Sequence, residues 1–285
     1  MKGSGMKRQK KVSVIIRTCN RPQILKKALS SVKNQSYSNI ETIVVEDGIA
    51  LSEKMITEEF ADLHIIYHAT GEKKGRTVVG NIGLGLSSGE YINFLDDDDI
   101  LYSNHIETLI KEMEISDAVA AYGIAEEGQI IRSKANAACF KEKRTIVRYK
   151  QPFNKLLLYS FNYLPIQSVL FSRKLYEKMG GFDESLDILE DWELWVRYST
   201  LGNFVFKPEI TSKYYVPFRG KTKMTRGREM DVALKQVEDK FSTYLIQCDI
   251  KSLRKEMDYV INVYNQKGML YYMRQVWNFF VYGER

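Results

Sequence analysis

Four consecutive aspartates, Asp96 to Asp99, follow the apolar run Tyr91-Ile92-Asn93-Phe94-Leu95 and precede Ile100-Leu101. The run reads as a buried strand, so the fold must deliver a block of carboxylates to one strand end beside the core. Carboxylates held close together raise one another's pKa unless a cation neutralises them. Hard oxygen ligands of this kind suit magnesium or manganese, which keep open positions for substrate phosphates. A solvated acidic turn is the competing reading. The strand lead-in and a second acidic pair downstream, Glu190-Asp191, weigh against it.

Strands and helices alternate around this feature. Val12 to Ile16 reads as a buried strand, followed by a helix capped by Asn20, with Pro22 in its first turn. Thr42 to Val45 is a second strand, ending in Glu46-Asp47-Gly48, and His64 to His68 a third. A helix over Thr77 to Leu86 leads into Tyr91 to Leu95. The next helix carries Ile106, Leu109, Ile110 and Met113 on one face. Such alternation predicts an α/β fold with a mostly parallel central sheet and ligands at the carboxyl ends of its strands. Arg17-Thr18, Glu46-Asp47 and Asp96 to Asp99 all fall at such ends, so one crevice can gather them. Residues 118–160 read as short strands with a turn at Glu126-Glu127-Gly128. Ser168 to Phe171 reads as a strand and Leu175 to Met179 as a short helix. Beyond Glu229 the pattern is helical, with Val232, Val237, Phe241, Tyr244 and Leu245 as its apolar face.

The 285 residues are 44% apolar and 27% charged, the composition of an ordinary soluble globule. A net charge of +6 permits phosphorylated ligands or anionic lipid. No recognised nucleic-acid motif or concentrated basic helix is present, so nucleic acid is not an expected partner. Cys19, Cys139 and Cys248 have no metal or disulfide spacing, which favours a reducing compartment. The polar, basic N-terminus is followed by too short an apolar stretch for a signal peptide, and no run reaches the length of a membrane span. A cytoplasmic location is expected.

Val12-Ser13-Val14-Ile15-Ile16-Arg17-Thr18-Cys19-Asn20-Arg21-Pro22, Val45-Glu46-Asp47-Gly48, Gly89-Glu90-Tyr91-Ile92 running into Asp96 to Asp99, and Gly180-Gly181-Phe182-Asp183 leading to Glu190-Asp191 occur in that order. This set resembles the inverting family 2 glycosyltransferases of GT-A fold, over about residues 11 to 220. The resemblance implies a GT-A catalytic domain over residues 11–228 with a Rossmann-like sheet flanked by helices, and a helical extension over 229–285. It also implies a nucleoside-diphosphate sugar donor, UDP-linked, and a glycan or lipid-linked acceptor. The setting it implies is synthesis of surface polysaccharide or glycolipid. Carried over by position, Thr18 would cradle the nucleotide, and Asp47 would accept from the base; taken alone, Asp47 reads equally as a turn residue before Gly48. Asp96 and Asp98 would form an Asp-x-Asp pair, with Asp98 the ligand of Mn2+ or Mg2+ and Asp96 nearer the ribose or the metal's water. Asp97 and Asn81 would border the donor. Asp191 would be the catalytic base, with Glu190 or Trp192 touching the acceptor; helix capping for Asp191 and a core position for Trp192 stay open.

Two departures stand out. Many relatives place an arginine directly before the asparagine matching Asn81, where this chain has Gly80. Arg76, one helical turn earlier, is the candidate substitute for that charge, with a solvated surface arginine as the competing reading. No histidine lies near the position where some relatives have an additional metal ligand. A basic, glycine-hinged loop with Arg219, Lys223 and Arg226 could instead cover the leaving diphosphate. These departures keep alive a second reading, a catalytically inactive scaffold that binds sugar nucleotides or glycans. The aromatic segment from Met269 to Tyr282 packs on its own domain, docks peripherally at the inner face of a membrane, or forms a homo-oligomer contact.

Overall fold

The structure, a computed structural model, describes residues 8–133, 139–218, 222–245 and 249–267. Strand β1 (Val12–Thr18) is buried along its whole length, as its β-branched run predicts. Helix α1 (Pro22–Lys33) follows, with Ile24, Leu25, Ala28, Leu29 and Val32 buried. Its cap differs from expectation. Arg21 holds the N-cap position without a side-chain bond, and Asn20 takes a left-handed φ of 52°. A Cβ added to Gly48 would fall 2.9 Å from the Asn20 side-chain oxygen, so that amide fills the glycine's open side instead. Next come β2 (Ile40–Glu46), α2 (Glu53–Glu59), β3 (Ile65–Ala69), α3 (Arg76–Leu86) and β4 (Tyr91–Asp96). These four strands are parallel, in the order β3-β2-β1-β4. The register sets Arg17 opposite Asp96 and Thr18 opposite Glu46, so three carboxyl ends meet at one edge.

The short β5 (Ile100–Leu101) and α4 (His105–Ile115) precede β6 (Ala120–Arg132) and β7 (Phe140–Val147). The expected turn at Glu126-Glu127-Gly128 is not there; these residues lie inside β6, paired with β7 and with a later strand. The physical reason is close packing. A Cβ on Gly128 would fall 2.7 Å from the Tyr215 ring, so the glycine admits a neighbouring aromatic rather than a reversal. Helix α5 (Lys155–Ser160), β8 (Val169–Ser172), α6 (Arg173–Met179), α7 (Glu190–Ser199) and β9 (Phe204–Pro217) complete the sheet. Here the pattern turns mixed. β8 is antiparallel to both β4 and β6, β9 runs parallel to β6, and β5 pairs antiparallel with β9.

Side chains alternate across β1, as strand geometry requires. Val14 and Ile16 pack with Leu25, Leu29, Ile106 and Leu109 on one face. Ile15 packs with Val79, Leu84, Phe94 and Phe171 on the other. The sheet is thus covered by helices on both sides.

Helix α8 (Thr222–Phe241) and helix α9 (Ile250–Lys267) follow β9. A boundary after residue 228 falls inside α8. The basic segment is also helical from Thr222 onward, so Lys223 and Arg226 belong to a helix and not to a loop; Arg219 lies outside the described residues. Val237 is fully buried and Phe241 meets the Trp192 ring edge-on at 5.1 Å, whereas Val232 and Leu245 are exposed. Glu256 of α9 accepts from the Lys155 amide (2.8 Å), and its carbonyl accepts from the Asn154 side chain (3.0 Å). Both helices therefore pack on the α/β body. The aromatic segment 269–282 lies outside the described residues. No helix among the described residues is long and apolar enough to cross a membrane.

Candidate functional site

An arginine at the end of a buried strand needs acidic partners, because an unpaired buried charge is costly. Arg17 finds two. Its Nε and Nη2 meet Asp96 Oδ1 at 2.9 and 2.7 Å, and its Nη1 lies 3.2 Å from Glu190 Oε1. The guanidinium packs over the Phe94 and Phe182 rings, at 5.8 and 5.3 Å. Arg76 enters from the first turn of α3, with Nη1 at 3.3 Å from Glu190 Oε1 and Nη2 at 4.0 Å from Asp96 Oδ2. Gly80 explains its position. A Cβ there would fall 2.5 Å from the Phe182 ring, so an arginine cannot occupy Gly80 without displacing a core aromatic.

The other aspartates are held individually. Asp97 accepts from the Thr18 hydroxyl (2.6 Å) and from both Nε (3.0 Å) and Nη2 of Arg21. Asp98 accepts from Arg132 Nη2 at 2.5 Å, with Arg21 3.9 Å away. Asp99 accepts from the Tyr215 amide at 3.2 Å. Burial pushes the Asp96 carboxyl up, but Arg17 and Arg76 outweigh it and hold the group below the ordinary carboxylate value. Burial wins at Asp97, which is pushed up to about 6 against the pull of Arg21 and Thr18. Asp99 is raised well above the ordinary value by burial and then by Asp98 and Asp96.

Asp191 lies at the start of α7, half-buried. The chain enters that helix through Leu189 in the left-handed region, φ 63°, which costs a bulky residue on the order of 1–2 kcal/mol. Asp191 accepts from the Trp192 amide (2.8 Å) and from the Asn162 side chain (3.1 Å). Burial and then the Glu190 charge push its carboxyl up to about 7. Through Glu190, Asp191 is joined by Arg17 and Arg76 to the aspartate block, so the two acidic clusters form one site.

Several expected contacts take another form. Asn81 donates to the Phe182 carbonyl (2.9 Å) and accepts from the Phe182 amide (2.7 Å), so it anchors the Gly181-Phe182 turn. Asp47 accepts from the Lys74 and Gly75 amides, at 2.6 and 3.1 Å, which fixes the loop before α3. Glu190 is buried between two arginines rather than offered to an acceptor. Trp192 is core: its indole donates to the Leu158 carbonyl at 2.6 Å and its ring packs on Phe241. Trp192→Ala is accordingly expected to cost roughly 3–5 kcal/mol of stability in urea denaturation.

Arg21, Arg132 and Asn162 were not singled out as site residues from the sequence. Arg21 stands in the first motif, but Arg132 and Asn162 come from distant segments whose placement depends on the long β6 and on the turn after α5. His105, by contrast, is no ligand. It is fully buried, contacts Thr211 Oγ1 at 2.9 Å, and burial lowers its pKa to about 3.

Among the described residues no group of three or more His, Cys, Asp or Glu side chains is arranged to hold a metal ion, so a divalent cation here would rest on one or two carboxylates and the oxygens of a bound diphosphate. Asp96, Asp97, Asp98 and Glu190 pair with Arg17, Arg21, Arg76 and Arg132, whereas Asp99 accepts from a backbone amide and Asp191 from a backbone amide and the Asn162 side chain.

The profile of glycosyl transferase family 2 matches residues 13–180, which contain β1 to β4 and the aspartate block. The chain belongs to that family. An uncharacterized glycosyltransferase of Rickettsia typhi is 26% identical over 233 residues, covering 80% of this chain and 68% of its own. Among solved structures, this family 2 glycosyltransferase is similar to residues 1–349 of S. aureus TarS in complex with UDP-GlcNAc, with a TM-score of 0.60 at 16% identity over 74% of this chain. It is also similar to the mannosyltransferase PcManGT of Pyrobaculum calidifontis in complex with GDP-Man and Mn2+, again with a TM-score of 0.60 at 16% identity, over 84% of this chain. The chain covers 60% and 66% of those two chains, and 40% of a longer TarS chain. At such identity the likeness is one of fold, and the fold is GT-A.

Proposed function

We propose that the chain is an inverting, metal-dependent glycosyltransferase that moves a sugar from a UDP-linked donor to a hydroxyl of a glycan or lipid-linked acceptor. The observation that carries this reading is the charged network in which Arg17 and Arg76 both bridge Asp96, at the head of the aspartate block, to Glu190, the chain neighbour of Asp191. Asp98 is the ligand assigned to Mn2+ or Mg2+, and the ion, when bound, stabilises charge on the diphosphate. Support for a nucleoside-diphosphate sugar comes from the neighbours, which hold UDP-GlcNAc and GDP-Man. Asp47 retains lone pairs beyond its two backbone bonds, so it can still accept from a uracil N–H.

Asp191 takes the proton from the acceptor hydroxyl while that oxygen forms its bond to the anomeric carbon. The bond from that carbon to the phosphate oxygen breaks, and the nucleoside diphosphate leaves with the electron pair. Attack from the opposite face converts an α-linked donor into a β-linkage. Burial makes Asp191 a better base than an ordinary aspartate. Glu190 keeps Arg17 and Arg76 at the crevice, where their charge favours a diphosphate. The proposed setting is surface polysaccharide or glycolipid synthesis at the cytoplasmic side of a membrane.

The test is release of nucleoside diphosphate from a panel of nucleotide sugars with manganese, with magnesium and with chelator, beside calorimetric donor binding. Metal-dependent release from one donor is the expected result. Binding without turnover under any acceptor tried would favour the scaffold, and neither binding nor turnover would sink the transferase reading.

A further inference from the structure

Among the described residues Asn162 is the side chain that donates to Asp191, and its own geometry is fixed before it reaches the carboxylate. Its Oδ1 accepts from the Leu164 amide at 3.0 Å, closing a tight turn at residues 162–164. That bond settles which end of the amide points away, so the NH2 group is the end presented to Asp191 Oδ2, at 3.1 Å. The turn itself is anchored in the core. Leu164 is fully buried and its carbonyl accepts from the Trp195 indole of α7 at 3.0 Å. The segment that carries Asn162 is thus tied to the helix that carries Asp191, through Trp195 four residues further along α7.

We propose that Asn162 is the positioning residue of the catalytic base: it holds Asp191 Oδ2 in one orientation so that the remaining lone pairs face the acceptor hydroxyl. This rests on the assignment of Asp191 as base. The Trp192 amide holds Oδ1 from the helix side, and Asn162 holds Oδ2 from the other, so the carboxylate cannot rotate about its χ2 without losing a bond. The charged groups around Asp191 are Glu190 on the same helix, Arg17 of β1 and Arg76 of α3. Glu190 disfavours ionisation while Arg17 and Asn162 favour it, so Asn162 also offsets part of the penalty for a buried carboxylate.

Asn162→Asp tests this with little risk to the fold, because an aspartate still accepts from the Leu164 amide but presents an oxygen where the NH2 stood. Asn162→Ala removes both bonds. The readout is the titration of the Asp191 carboxyl by 13C NMR in protein labelled at aspartate side-chain carbons, assigned with Asp191→Asn. It is read beside the pH profile of nucleoside diphosphate release from the donor that the panel identifies. In Asn162→Asp the Asp191 midpoint and the acid limb should move up by roughly one unit or more, and turnover at neutral pH should fall about tenfold. Thermal unfolding should place Asn162→Asp near the parent protein. An unmoved midpoint and unchanged turnover in both variants, with Asp191→Asn inactive, overturns the positioning role and leaves the base standing. Full turnover by Asp191→Asn overturns the base assignment and this role with it.

Discussion

Asp191→Asn is expected to lower sugar transfer by roughly 10²–10⁴-fold, the usual contribution of a positioned general base. Donor affinity should change little, since Asp191 touches none of the arginines directly among the pairs observed. The same residue predicts a pH profile. Burial and Glu190 push its carboxyl up to about 7, so the rate should rise with pH through that value as the base form appears. For stability the sign is opposite. An aspartate whose folded pKa exceeds its unfolded value binds its proton more tightly in the native state, so its contribution to stability falls as pH rises from about 4 to about 7. The asparagine variant should lose both features: the acid limb of the residual rate, and that part of the fall in melting temperature between pH 5 and pH 8. Transfer assays across that range, with thermal melts in the same buffers, read both. A variant with parental rate and an unchanged limb would place the base elsewhere.

The parallel half of the sheet was legible because its strands are continuous apolar runs and its helices carry clean stripes. Val12 to Thr18, Ile40 to Glu46 and Tyr91 to Asp96 needed only burial on both faces to be recognised. Beyond Ala118 the signal weakens for a physical reason. β6 mixes Glu126, Glu127 and Gln129 into its run because these polar side chains find partners: Tyr102, Arg148 and Tyr214. Those partners are distant in sequence, so a strand with an interior ion pair looks like a turn with charges. The site divides the same way. The aspartate block and Glu190-Asp191 show as ordered motifs, and Arg76 was inferred from the missing side chain at Gly80. Arg132 and Asn162 act only because β6 and the turn after α5 bring them across the sheet. Nothing local to either residue announces that. Trp192 illustrates the converse, a conspicuous aromatic whose position on α7 turns it inward toward Leu158 and Phe241.

Asp98→Asn is expected to remove the manganese-dependent part of donor binding and to lower turnover on the order of 10²-fold or more, because the charge on the leaving diphosphate then lacks its counter-ion. The arrangement around Asp98 sharpens the expectation. Arg132 Nη2 stands 2.5 Å from Asp98 Oδ2, so the guanidinium and a metal ion compete for one oxygen. A cation that binds there must first displace Arg132, and that cost reduces the apparent affinity for the bare ion. Arg132→Gln should therefore tighten manganese binding several-fold in calorimetric titrations without nucleotide, whereas Asp98→Asn should abolish it. A diphosphate arriving with the ion offers Arg132 a new anionic partner, so the parental protein should bind ion and donor together far better than the ion alone. Arg132→Gln should lose most of that synergy. If both variants bind manganese like the parent, the ligand is not Asp98. If Asp98→Asn alone loses it, the ligand assignment holds, and Arg132 moves aside at little cost.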